Sequence, residues 1–202
     1  MISNTVLLID FDGTIVPTNS KLIRIFDEIT NLPTSSQTRT KLMNSSFEEI
    51  CRYILDKKGE DVLNNYCAHV AEIYRKTAPH KGLDTFLQKQ VEKRRRVFVL
   101  SNNSKENIET YMEQNDMLHL FSGIIVPSNK KEEKPSVEML KNFMKENKGC
   151  KLVVVDDNDK FVANAAKIGL TSSVFLCQAG EMCEDTFESH VEVPEESYVK
   201  YL

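Results

Sequence analysis

The sequence predicts an α/β fold built on a mainly parallel sheet. Two observations lead there. Short apolar runs of four or five residues, most of them rich in Val or Ile, recur without polar alternation, as in strands buried on both faces. Segments of helical length lie between most of them, and strands that alternate with helices pair in parallel through crossovers. A chain of 202 residues suits one such domain with a modest insertion and can bury its own core without cross-links.

Residues 5–9 form the first apolar run and the first strand. Residues 18–78 then break the alternation, because no strand pattern occurs there. Helices are expected at 21–29, 47–58 and 61–76, the first with Leu22, Ile25, Phe26 and Ile29 on one face. Residues 31–46 contain Pro33 and many Ser and Thr and read as a connector. Residues 18–78 are therefore expected to be a small helical insertion. The alternation resumes with a helix at 82–93, a strand at 97–100, a helix at 105–114 and a strand at 123–126. It ends with a helix at 136–147, a strand at 152–155, a helix at 159–168 closed by Gly169, and a strand at 173–176. The expected core is thus 1–17 together with 79–180. Residues 181–202 make an acidic tail with few apolar anchors after Val193, expected to be partly mobile.

Charge is unevenly placed. The net charge is -4, but residues 178–202 hold seven acids and one Lys, which leaves the remaining chain at +2. That sign suits an anionic ligand. The overall acidity argues against a dedicated nucleic-acid binder. Lys93-Arg94-Arg95-Arg96 is the one basic cluster; it could touch nucleic acid, and reads more simply as the solvated end of a helix. No stretch approaches the ~18 apolar residues of a membrane span, and the apolar run at 6–9 is too short for a signal peptide. No membrane partner is expected, and the location expected is cytoplasmic. The five cysteines are odd in number, contain no CxxC and match no zinc spacing. They read as reduced thiols, with Cys177, Cys183 and His190 as a weaker alternative site.

In open parallel sheets, ligands gather at the carboxyl ends of the strands. Four polar sets fall at or near such ends. Strand 1 runs into Asp10-Phe11-Asp12-Gly13-Thr14. Its two acids suit a hard cation such as Mg²⁺, or a split of nucleophile and acid roles, and they also suit a plain Asp-Gly turn. Gly13 permits close backbone approach, and Thr14 can accept or donate at the turn. Ser101-Asn102-Asn103-Ser104 follows the second strand, as an oxyanion-binding set or as ordinary helix capping. Lys134-Pro135 precedes a helix, where the ammonium could neutralise a phosphate or simply be solvated. Asp156-Asp157 closes a buried strand, as cation ligands or as an acidic helix start.

The four sets together, in this order, resemble the haloacid dehalogenase-like hydrolase superfamily. Its four motifs look like Asp10–Thr14, Ser101, Lys134 and Asp156-Asp157, so the likeness spans about residues 5–177. Residues 78–83 resemble the family's return from a helical cap, and 164–170 resemble the helix after its fourth motif. The resemblance implies a three-layer Rossmann-like core, with 18–78 as a small helical cap inserted after strand 1. One departure stands out: Phe161 occupies the place of a later acid in the fourth motif, and the hydrophobic-Asp-Asp form of that motif fits better. The form leaves two candidates for the metal, with Asp157 favoured and Asp156 assisting.

The resemblance also implies a chemistry. Mg²⁺ would be held by Asp10, Asp157 and the backbone carbonyl of Asp12, with Asp156 assisting. Ser101 and Lys134, with Gly13, Thr14 and Asn102 around them, would bind the phosphoryl oxygens. Asp10 would attack phosphorus, and Asp12 would serve as general acid and base. Dehalogenases of the family lack that second acid, because a halide needs no proton. A phosphatase for a small phosphorylated metabolite is therefore the expected function. A phosphomutase or phosphotransferase of the same fold, a receiver-type phosphoacceptor module and a catalytically silent binding protein are the alternatives. Among cap residues, Lys21 and Arg24 lie nearest in sequence to Asp12 and are the first candidates to meet the substrate.

Overall fold

A computed structural model describes residues 4–31, 45–174 and 187, with residues 172–174 described by their backbone alone. In chain order the elements are β1 (Thr5–Ile9), α1 (Asn19–Thr30), α2 (Phe47–Lys58), α3 (Glu60–Lys76), α4 (Leu83–Glu92), β2 (Arg96–Leu100) and α5 (Lys105–Gln114). There follow β3 (Gly123–Ile125), α6 (Glu138–Glu146), β4 (Lys151–Asp156), α7 (Asp159–Lys167) and β5 (Thr171–Val174). The strands form one sheet in the order β3-β2-β1-β4-β5, with every neighbouring pair parallel. Leu7 pairs with Val97 on one side and Val153 on the other, which puts β1 at the centre. From β1 the chain first builds outward through β2 and β3, then returns to the other side of β1 for β4. The sheet's topological switch lies there, between β1 and β4.

Side-chain alternation sets up the layers. Leu7, Ile9, Val97, Val99, Val153 and Val155 face a core that includes Leu83, Phe86 and Leu87 of α4 and Ile108, Tyr111 and Met112 of α5. Val6, Leu8, Leu100, Leu152 and Val154 face the opposite core, with Met139, Leu140 and Phe143 of α6 and Phe161 and Ala165 of α7. The sheet is thus sandwiched between two helical layers. The helices α1 to α3 lie between β1 and β2 in the chain, and Phe26, Ile54, Tyr66 and Val70 extend the first of these cores into them. Phe11 makes the join, with its ring 5.5 Å from Tyr74 and 5.3 Å from Tyr111.

Local chemistry starts and stops the helices where the sequence suggests. Ser46 accepts from the Glu49 N–H at 3.2 Å and caps α2, a contact worth about 1 kcal/mol. Ser104 and Asn158 cap α5 and α7 in the same way. Gly59, at φ 85°, makes the turn between α2 and α3 in a single residue.

Three expectations need correction. The last strand begins two residues earlier than the apolar run suggested, because Thr171 and Ser172 pair with Val153 and Val154 despite being polar. The β3 residues are only half-buried, since β3 lies at the sheet edge. The basic cluster is not simply a solvated helix end. Arg94 takes a left-handed conformation at φ 55°, and this turns Arg95 back under α4. There Arg95 is buried and donates to Gln90 Oε1 at 2.8 Å. In the acidic tail Phe187 is buried, 5.0 Å from the Phe86 ring, and the rest of 181–202 lies outside the described residues. So do Cys177, Cys183 and His190; Cys51, Cys67 and Cys150 are free thiols.

Candidate active site

The carboxyl edge of the sheet gathers the four polar sets. Asp10 continues the β1 pairing by one residue, donating its N–H to the Val155 carbonyl at 2.9 Å. The chain then folds into a tight turn in which Ile15 and Val16 both donate to the Phe11 carbonyl. Gly13 sits in that turn at φ 88°, and a Cβ there would collide with Asn19 Nδ2 and Asp157 Oδ2. The turn therefore needs glycine both for its backbone and for the closeness of its neighbours. Thr14 is fully buried, and its hydroxyl accepts from the Asp157 N–H at 3.1 Å, which ties the loop after β1 to the loop after β4.

Lys134 is the hub. It is 6% exposed, and its ammonium donates to Asp10 Oδ1, to Asp156 Oδ2 at 2.7 Å and to the Leu100 carbonyl at 3.1 Å. Asn102 fixes its main chain from both sides: Lys134 N–H donates to Asn102 Oδ1 at 2.8 Å, and Asn102 Nδ2 donates to the Lys134 carbonyl at 3.1 Å. The Phe161 ring lies 5.2 Å from the ammonium. Asp156 is bound at both oxygens, since its Oδ1 accepts from the Asn158 N–H at 2.9 Å. Asp157 instead meets Asn19, whose Nδ2 donates to its Oδ2 at 2.5 Å.

Asp12 is held separately. It accepts from Thr18 Oγ1 at 2.5 Å, Tyr74 Oη at 2.8 Å and Asn103 Nδ2 at 2.7 Å. Burial pushes its carboxyl upward against the pull of those three donors. Burial also raises Asp10, against Lys134, and raises Asp156, with the charge of Asp10 adding to the effect. Asp157 is pushed up to about 6 by burial and by Asp156. Lys134 loses by burial but is raised overall by Asp10 and Asp156, so it stays charged.

Asp10, Asp156 and Asp157 each offer an oxygen within 4.8 Å of the others. Two buried acids and one half-buried acid with one ammonium leave an excess of negative charge, and a divalent cation bound by oxygen fits that donor set. Asp12 is outside this trio, because its side chain is turned to Thr18, Tyr74 and Asn103.

A cavity of about 360 Å³ lies over the cluster. Of the residues expected from sequence, Asp10, Asp12, Ser101, Asn102, Lys134, Asp156 and Asp157 line it. Gly13 and Thr14 do not; they shape the turn beneath it. The Asn102 amide is engaged by Lys134, and Ser101 Oγ accepts from the Asn103 N–H at 3.1 Å. Lys21 and Arg24 do not reach the cavity: Lys21 donates to Thr77 Oγ1 at 2.9 Å, and Arg24 pairs with Glu28 at 2.8 Å. The reason is helical geometry. Asn19, Leu22 and Ile23 share the face of α1 turned to the cavity, while positions 21 and 24 lie to the side. Thr18 and Tyr74 carried no local signal, because their partner Asp12 is distant in sequence or separated by the turn.

The model of the haloacid dehalogenase-like hydrolases matches residues 7–175. Among solved structures, CbbY from Rhodobacter sphaeroides in complex with phosphate is similar at 18% identity and TM-score 0.67, over 93% of this chain and 95% of that one. A predicted phosphoglycolate phosphatase from Haemophilus somnus is similar at 16% identity and TM-score 0.60, over 94% and 92% of the two chains. An L-2-haloacid dehalogenase from Xanthobacter autotrophicus is similar at 15% identity and TM-score 0.60, over 89% and 80%. At these identities the likeness is one of fold. No curated protein matches the chain.

Proposed function

Since the chain belongs to the haloacid dehalogenase-like hydrolase family, we propose that it is a phosphatase acting on a small phosphate monoester through an aspartyl-phosphate on Asp10. The observation that carries this is Asp12. A second, half-buried carboxyl lines the same cavity two residues from Asp10, raised above the ordinary carboxylate value by desolvation and fixed by three donors. An alkoxide leaving group needs such an acid, whereas a halide does not.

In the proposed reaction, the Asp10 oxygen not paired with Lys134 attacks phosphorus, and the bond from phosphorus to the ester oxygen breaks. Asp12 gives its proton to that oxygen. A water then attacks the phosphorus of the aspartyl-phosphate, Asp12 takes up its proton, and the bond to Asp10 breaks to release phosphate. Lys134 and Ser101 serve the phosphoryl oxygens, while Asn102 holds Lys134 in place. Mg²⁺, held by Asp10 and Asp157 with Asp156 beside them, would supply the positive charge that lets a carboxylate approach a phosphate dianion.

The proposal takes 18–78 as the cap, 1–17 with 79–180 as the catalytic core and 181–202 as a tail. Its partner is a small phosphorylated metabolite rather than nucleic acid or a membrane, in the cytoplasm. The free thiols of Cys51, Cys67 and Cys150 support a reducing setting. Among the described residues no helix is long and apolar enough to cross a membrane. The test is Asp10→Asn, which should abolish Mg²⁺-dependent phosphate release from a generic aryl phosphate. Full activity in that variant overturns the assignment.

A further inference from the structure

The cavity has two unlike walls. The sheet side carries the acids and Lys134; the side formed by α1 to α3 is mainly apolar, with Asn19, Ser45 and the Tyr74 hydroxyl as its polar groups. Leu22 and Ile23 of α1, Phe47 and Ile50 of α2, and Tyr66 of α3 line it. The Phe47 and Tyr66 rings stack with centroids 6.5 Å apart and planes 22° from parallel, so this wall is a fixed aromatic surface. Tyr66 is almost wholly buried.

Among the described residues, no Lys or Arg of the proposed cap lines the cavity. Lys21 is engaged by Thr77, Arg24 by Glu28, and Arg52 lines a neighbouring cleft. Arg75 and Lys76 both pair with Glu72. Among the described residues, Lys134 is the one Lys or Arg lining the cavity, and it is paired with Asp10 and Asp156. A second anionic group on the substrate would therefore lose its water against Leu, Ile and Phe with no further cation among the described residues to meet it. An uncharged apolar body gains by the same burial. The volume allows it: an apolar cavity of roughly 150 Å³ already holds a benzene ring, and this one is about 360 Å³.

We infer that the site selects phosphate monoesters whose alcohol part is uncharged and apolar, of about the size of a benzyl group, over esters with a second phosphate or a carboxylate. This rests on the phosphoryl group being placed at Asp10, as in the phosphatase reading.

The test pairs binding with turnover. Calorimetry on the Mg²⁺-loaded protein compares benzylphosphonate with 3-phosphonopropionate, and phosphate release compares benzyl phosphate with phosphoglycolate. Benzylphosphonate is expected to bind about 10-fold tighter or more, with kcat/KM favouring benzyl phosphate to a similar degree. Ile23→Arg, at a half-buried position on the apolar wall, is expected to bring both ratios toward one. Equal or tighter binding of 3-phosphonopropionate by the unaltered protein overturns the inference, and so does faster turnover of phosphoglycolate. Preference for benzylphosphonate with no release from either ester overturns the phosphatase reading and leaves the selectivity of the wall standing.

Discussion

Tyr74 Oη donates to Asp12 Oδ1 at 2.8 Å, a bond that joins the end of the last cap helix to the loop leaving β1. Thr18, where the chain enters the cap, holds the same oxygen at 2.5 Å, and Asn103 holds the other at 2.7 Å. The two ends of the α1–α3 segment, the proposed cap, thus converge on one carboxyl. The arrangement makes the orientation of Asp12 depend on where the cap sits.

Tyr74→Phe tests that dependence. The lost bond to an ionisable partner is worth about 1.5–3 kcal/mol, so kcat/KM should fall at least ~10-fold. The donor favours the ionised form of Asp12, and removing it raises a carboxyl that burial has already raised. The proposed attack on the ester needs Asp12 protonated, so the alkaline limb of kcat/KM should move to higher pH. A parallel drop in rate with an unmoved limb would show that the hydroxyl serves packing alone.

Asn19 bears on the proposed metal site. Its amide grips Asp157 Oδ2 at 2.5 Å and orients the acid that is not otherwise paired with Lys134. Groups that orient metal-binding carboxylates typically change affinity by about 10–100-fold when removed. Asn19→Ala should weaken Mg²⁺ binding by that factor in calorimetry on the metal-free protein, with the melting temperature little changed. Unaltered affinity would place Asn19 outside the metal site.

The acid cluster links metal to pH. Asp10 and Asp156 are raised by burial, and Asp157 is pushed up to about 6. A carboxyl raised in the folded state stabilises the fold below its unfolded pKa, and that contribution is lost as pH rises through the folded value. The metal-free protein should therefore lose this contribution as pH climbs past about 6. In the proposed function Mg²⁺ would bind the ionised acids and offset the loss. Thermal melts should show Mg²⁺ raising Tm by several degrees at pH 8 and scarcely at pH 5. Equal gains at both values would disconnect the cluster from the metal.

The core strands were legible because burial on both faces leaves continuous runs such as Leu7–Ile9 and Leu152–Val155, and most strand ends then carry the polar residues. The segment between β1 and β2 was legible only as helices. Which face of α1 meets the cavity depends on how the helix packs, and nearness to Asp12 in sequence pointed wrongly to Lys21 and Arg24 in place of Asn19, Leu22 and Ile23. Tyr74 was hidden for the same reason: it lies 62 positions from Asp12, and the contact exists only once α3 returns to the core. At β5, pairing with β4 overrides the apolar pattern and starts the strand at Thr171.

Phe161 departs from the family pattern, and the structure gives it a different task. It is fully buried in the first turn of α7, packed among Leu140, Val154 and Ala165, with Lys134 above its ring. An acid here would enter an apolar core with no solvent to receive its charge. Phe161→Ala should cost about 3–5 kcal/mol through the cavity it leaves, which for a chain of this length lowers Tm by roughly 10 °C. Phe161→Leu keeps most of the volume and should cost under about 1.5 kcal/mol. Urea titrations of the three proteins measure both differences. A cost below about 1 kcal/mol for the Ala variant would mean that the ring does not support the core beneath Lys134.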